Sequence, residues 1–182
     1  MREPVIIRLT PDIIEYADNV AALRQGSAFL KHRSPANGLA ADFEVSLAHH
    51  RLGARCEAAG KIYLNPITWH ALAERIKNLP DLGAFIDVKG RPRDTNDLIV
   101  QKDANDQFAY LFISAEHHPD YHIFGWAWGY EAKQQRFWRD PAGGRPAYFM
   151  PNEELPHSPD ELRALIHDKQ EEMMQFAREV LN

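Results

Sequence analysis

In the stretch LPDLGAFIDVKG, residues 79–90, two aspartates and a lysine stand at spacings that could do chemistry: Asp81, Asp87 and Lys89. Side chains alternate along a strand, so Asp87 and Lys89, two positions apart, share one face. Their neighbours Phe85, Ile86 and Val88 are apolar and mark a strand against a core. A charge there is expensive unless it is paired, hydrogen-bonded or bound to a metal. Leu82–Gly83 offers a turn or bulge, without which Asp81 would lie about 20 Å along an extended chain from Asp87. With the bend, two carboxylates converge on one hard cation, Mg2+ or Mn2+, and Glu57 reaches in from a preceding helix. Lys89 then orients or helps deprotonate an attacking water, while the cation offsets charge building on a phosphate. The blander reading makes Asp81 a turn cap and Asp87–Lys89 a surface ion pair on an exposed strand face.

Basic residues near this stretch suit phosphate oxygens. Arg91 and Arg93 follow the lysine, Lys102 follows the next strand, and Arg51 and Arg55 lie six and two residues before Glu57 on its helix. HHPDYH, residues 117–122, holds His117, His118, Asp120 and His122, all of them zinc-ligand types. Adjacent histidines in an extended chain point to opposite faces, and nothing nearby in sequence completes a tetrahedral set, so a polar hairpin turn is the expectation there. Trp126 and Trp128 alternate onto one sheet face and read as core packing rather than base stacking. Cys56 has no obvious histidine partner to make it a nucleophile. The chain carries no P-loop, dinucleotide-binding glycine pattern or G-x-S-x-G motif.

The elements that must position these groups follow from periodicity. Val5–Leu9 reads as a strand, and Thr10–Pro11 as the start of a helix running to about Lys31. Residues 32–38 read as a loop. A second helix covers about 41–63, with Phe43, Leu47, Ala54, Ala58 and Ile62 as its apolar face. Gly53 and Gly60 flank Glu57 and leave its face bare, so the helix can approach a sheet closely. Asn65–Pro66 suggests a shorter helix over ITWHALAERIKN. From Ala84 the period switches to two, giving strands near 85–88, 97–100, 108–114, 121–128 and 147–150. Ser158 and Glu161 form a capping box, with Pro159 at the first position of a C-terminal helix reaching about Val180. The expectation is α+β: a mixed central sheet flanked by helices, ending in a long helix.

Pro80-Asp81, five residues, then Asp87-Val88-Lys89 resembles the signature of the PD-(D/E)XK nuclease superfamily. The helix segment Gly53-Ala54-Arg55-Cys56-Glu57-Ala58 is similar to the helix that carries an extra acid in many members. The order IIRLTP, GARCEAA, DLGAFIDVK, DLIV, FGWAWGYEA, RPAYFMP resembles small phage and mobile-element proteins of that superfamily. The resemblance implies a restriction-endonuclease-like core. It makes Asp81 and Asp87 metal ligands, Glu57 a ligand or supporting acid, the Val88 carbonyl a further ligand, and Lys89 the catalytic lysine. The second acid is Asp where Glu is commoner, which shortens its reach.

Bulk properties bound these readings. At 182 residues the chain suits one domain, divided as an N-terminal strand and helix (1–40), a core (41–155) and a C-terminal helix (156–182). A 45% apolar and 26% charged composition is ordinary for a globular protein. One cysteine forbids an internal disulfide, and neither a signal peptide nor a membrane span is visible, so a cytoplasmic location (the host's, for a phage protein) is expected. Net charge is −5, yet residues 51–102 carry nine Lys/Arg against six Asp/Glu, while residues 151–182 carry three against eight. A basic centre suits DNA held locally, and the acidic tail suits a basic partner surface. The expected function is a Mg2+- or Mn2+-dependent endonuclease on DNA. The alternative is an inactive nuclease-like module that binds nucleic acid or a host protein. Duplex cleavage would favour a homodimer, with the C-terminal helix as the dimer element.

Overall fold

The computed structural model describes residues 2–30, 43–65, 67–71, 79–141 and 143–181, with side chains of the last helix described up to Glu171. Strand β1 (Val5–Arg8) leads through Thr10 into helix α1 (Pro11–Leu30), where proline's fixed φ suits the first turn. Ala17, Val20 and Ala21 form its buried stripe. Helix α2 (Phe43–Tyr63) packs on α1, but its buried face differs from the expected one. Phe43 and Ile62 are exposed, while Ala54, Cys56, Glu57, Ala58, Ala59 and Gly60 are all buried. Small side chains let α2 settle close to a sheet over a broad face.

That sheet is mixed and four-stranded, in the order β1-β5-β4-β2. Strand β2 (Ile86–Arg91) runs parallel to β4 (Ala109–His117), which pairs antiparallel with β5 (Asp120–Trp128), as β5 does with β1. A second sheet has the order β3-β7-β6, from β3 (Leu98–Val100), β6 (Trp138–Arg139) and β7 (Ala147–Met150). A one-turn helix, α3 (Gly129–Ala132), follows β5, and α4 (Pro159–Leu181) closes the chain. At its start the Ser158 and Glu161 side chains cap each other's backbone N–H groups, with Glu161 Oε2 also 2.7 Å from Ser158 Oγ.

Alternation along β4 separates two cores. Leu111 and Ile113 join Val88, Ile123 and the small residues of α1 and α2, with Leu162 and Ile166 of α4. Tyr110 and Phe112 face the other way, against Phe124, Leu98, Val100 and Met150. The architecture is α+β with a mixed sheet: helices cover one face, and the small second sheet covers the other. Trp126 is buried in the first core, as its position on the strand suggested.

Two local expectations change. Ile67–Ala71 is extended rather than helical: Gly83 N donates to Thr68 O at 2.7 Å, and His70 N donates to Asp81 O at 2.9 Å. This segment therefore pairs with the turn before β2, and Trp69 bridges Leu82; residues 72–78 of the expected helix lie outside the described residues, as does the loop at 32–38. Of the two glycines expected to allow the close approach of α2, Gly60 does so and Gly53 does not, and Gly90 of β2 joins it. A Cβ at Gly60 would sit 3.1 Å from Leu82 Cδ1, and one at Gly90 would sit 2.9 Å from Cys56 Sγ, whereas Gly53 faces open space.

Candidate active site

The bend before β2 is made by Gly83, which has φ +57, a left-handed conformation that glycine adopts without steric penalty. Leu82 and Ile86 exchange backbone hydrogen bonds across it, at 3.0 and 3.2 Å. The turn folds Asp81 back along β2, so that Asp81 Oδ2 accepts the Val88 N–H at 2.8 Å. β2 pairs with β4 on its other side and is the edge of its sheet. In an extended residue the N–H and C=O leave the chain on the same side, so the Val88 carbonyl faces this edge beside Asp81.

Asp87 and Lys89 do share one face. Their register partners are Tyr110 and Phe112, and Lys89 Nζ stands 5.2 Å from the centre of the Tyr110 ring. Lys89 Nζ is 2.5 Å from Asp87 Oδ1, with the two side chains 21% and 9% exposed. The pair is therefore sheltered and is not the exposed surface ion pair of the blander reading. Burial first, then the Asp87 and Glu57 carboxylates, push the Asp81 carboxyl up from 3.8 to about 7; Lys89 and the Val88 N–H pull the other way.

Glu57 is placed differently from the expectation. It projects from α2, which packs on the opposite face of β2 from Asp87 and Lys89, the face of Val88 and Gly90. Both its oxygens are engaged: Arg24 Nη1 donates to Oε1 at 2.6 Å, Arg24 Nη2 to Oε2 at 2.7 Å, and Trp69 Nε1 to Oε2 at 2.8 Å. A carboxylate offers about four lone-pair sites, and these bonds use three. Asp81, at the strand edge, stands between the Asp87–Lys89 pair and this Arg24–Glu57–Trp69 group. Sequence reasoning missed Arg24. Its signal was present, since it falls four residues after Val20 and three after Ala21, on the apolar stripe of α1, where a lone arginine needs a buried acid.

The basic residues do not gather at the acids. Arg55 makes a forked pair with Asp18, at 2.7 Å for both bonds, and Arg51 Nε is 3.8 Å from the same carboxylate. They line a groove with Tyr121 and His118, away from Glu57 around the helix. Arg91 continues the Asp87–Lys89 face and lines a cavity of about 300 Å³ with Thr95, Asn96, Asp97, Arg139 and Phe149. Its Nε is buried there without a hydrogen-bond partner, and burial lowers its affinity for a proton. Arg93 and Lys102 are exposed. Among the described residues, no helix is long and apolar enough to cross a membrane. Comparison with protein-family models, curated proteins and solved structures gives no match to this chain.

Proposed function

We propose that the chain is a metal-dependent nuclease, built on a restriction-endonuclease-like core, that hydrolyses phosphodiester bonds in DNA at Asp81, Asp87 and Lys89. The observation that carries this reading is the Gly83 turn, which lays Asp81 along the free edge of β2 beside Asp87 and Lys89. The donor chemistry fits a hard cation. Glu57, Asp81 and Asp87 are three carboxylates against two cations, Arg24 and Lys89, and the Asp81 carboxyl is raised by burial first and then by that excess of negative charge. Asp81, Asp87 and the Val88 carbonyl would hold Mg2+ or Mn2+, all oxygen donors of the kind these ions take. Bound there, the ion would supply Lewis-acid stabilisation of the phosphate.

The chain's own groups do the rest. Lys89, held against Asp87 and the Tyr110 ring, positions a water oxygen for attack on phosphorus. The water oxygen forms the new bond as its proton passes to solvent, the bond from phosphorus to the leaving sugar oxygen breaks, and that oxygen takes up a proton from solvent. The Arg24–Glu57–Trp69 group fixes the approach of α2 and keeps Asp81 electrostatically strained. Glu57 is thus a positioning acid in this reading rather than a ligand. Arg91, in its cavity beyond Lys89, supplies a phosphate contact.

A second reading is favoured by one observation: Arg24 closes on Glu57 and Lys89 on Asp87, so the charges satisfy one another. A self-satisfied network serves a module that binds nucleic acid or a protein without cutting. Incubation of plasmid and single-stranded DNA with Mn2+ decides between them. Cleavage lost in both Lys89→Ala and Asp87→Ala supports the nuclease; cleavage that survives both excludes this site. DNA retained in a gel shift without any cleavage supports the binding module.

A further inference from the structure

The strand face that carries Asp87, Lys89 and Arg91 continues to a second cluster that the acid site does not use. Arg91 pairs in register with Ser114, and Ser114 with His122, so His122 lies on this same face. The cluster sits about 13 Å along the sheet from the rung of Asp87, four residues at 3.3 Å each. His117 belongs to β4, three residues after Ser114, and in a regular strand it would point to the opposite face. The pairing shifts between Ser114 and His117, and this bulge turns His117 onto the face of His122. Their rings stack with centres 4.4 Å apart and planes inclined by 27°. The third member arrives from the loop between β2 and β3: Asp94 Oδ2 lies 3.2 Å from His117 Nε2 and 3.0 Å from His122 Nδ1. The three atoms all lie within 4.8 Å of one another.

We propose that Asp94, His117 and His122 bind a divalent transition-metal ion of the Zn2+ class. Metal–ligand bonds of 2.0–2.1 Å at tetrahedral angles put neighbouring ligand atoms about 3.3 Å apart, close to the two carboxylate–imidazole separations here. Two imidazoles and one carboxylate suit zinc and its first-row neighbours, whereas magnesium prefers an all-oxygen set. Asp94 is held in place from behind. Its N–H donates to Glu116 Oε2 at 2.7 Å, and its carbonyl accepts from Asn152 Nδ2 beside the end of β7. Such support orients a ligand before the metal arrives. Asp94 Oδ1 is buried with no hydrogen-bond partner, so this carboxylate has capacity that the histidines leave unused. The His117 side chain is 51% exposed while His122 is 15% exposed, so one side opens to water, leaving a fourth position for solvent or substrate. Asp94 stands 23 residues before His117, beyond the reach of the local spacing that a zinc motif would show.

The test uses the metal itself as the probe. Zn2+ titrated into the full chain by calorimetry in excess Mg2+, which keeps the acid site occupied, with Co2+ absorption as a report of coordination number, is expected to give one saturable site. His117→Ala, His122→Ala and Asp94→Asn should each weaken it by more than about tenfold, since even a supporting residue contributes that much. Asp81→Asn should leave it unchanged. His117→Ala alters a half-exposed position and keeps the test valid should Asp94→Asn fail to fold. Binding that does not saturate overturns the proposal. So does Zn2+ affinity that survives both histidine substitutions, or that falls with Asp81→Asn.

Discussion

Because burial and two neighbouring carboxylates raise the Asp81 carboxyl to about 7, the folded chain holds a proton there that the unfolded chain releases near 3.8. A folded-state value above the unfolded one makes a stabilising contribution that is full below about pH 4 and is lost as pH rises through about 7. At pH 8 the folded protein therefore carries an acid it would be more stable without. Asp81→Asn removes the charge and keeps an oxygen to accept the Val88 N–H. It should stabilise the protein at pH 8 by on the order of 1–3 kcal/mol, or several degrees in Tm, and change little at pH 4. Mg2+, which prefers the all-oxygen acid site, should raise the Tm of the parent at pH 8 and leave that of Asp81→Asn unmoved. Calorimetry across this pH range checks both statements, and equal melting temperatures for parent and variant at pH 8 would contradict them.

At the scale of elements, two glycines near the site separate conformational need from mere helix dilution. Gly83 has positive φ, and a Cβ there would stand 2.7 Å from Ile67 Cδ1. Gly83→Ala should cost about 1–3 kcal/mol, loosen the Asp81 turn, and lower nuclease activity more than stability alone accounts for. Gly53 sits in the interior of α2 with nothing within 4 Å, so Gly53→Ala should stabilise by about 0.5–1 kcal/mol. Urea melts of the two variants should move in opposite directions. The Gly83 bend was legible in the sequence because a glycine four residues before the D-x-K of a strand has few other uses. The Asp87–Lys89 face was legible because strand alternation is local. The side of the sheet that receives α2 was not, since that depends on which face the Cys56–Gly90 contact selects. The partners of Glu57 and Asp94 were equally hidden. Arg24 lies 33 residues from one and His122 lies 28 from the other, and no local pattern spans such gaps.

Across the whole molecule, the two cores share one sheet, and Cys56 stands where α2 meets it. The thiol is fully buried, 3.8 Å from the Ile113 carbonyl and against Gly90. Burial, reinforced by the charge on Glu57, pushes it far above the ordinary range of a thiol. Reaction with a thiol reagent requires a thiolate in water, and the contacts of Cys56 allow that only when α2 leaves the sheet. Leaving exposes Ala54, Ala58, Ala59 and the strand residues beneath them, and it breaks the Arg24–Glu57–Trp69 group that ties α1 and α2 to the turn before β2. Such an opening removes the first core entirely, so labelling should follow global unfolding rather than local fraying. The expected result is a labelling free energy that falls with urea at the slope of the equilibrium melt. A shallower slope would mean that α2 detaches as a separate unit. Ligands that bind the folded state suppress opening by mass action, so Mg2+ at pH 8 should slow labelling in the parent chain. With Asp81→Asn that slowing should vanish, which connects the chemistry at the sheet edge to the stability of the entire fold.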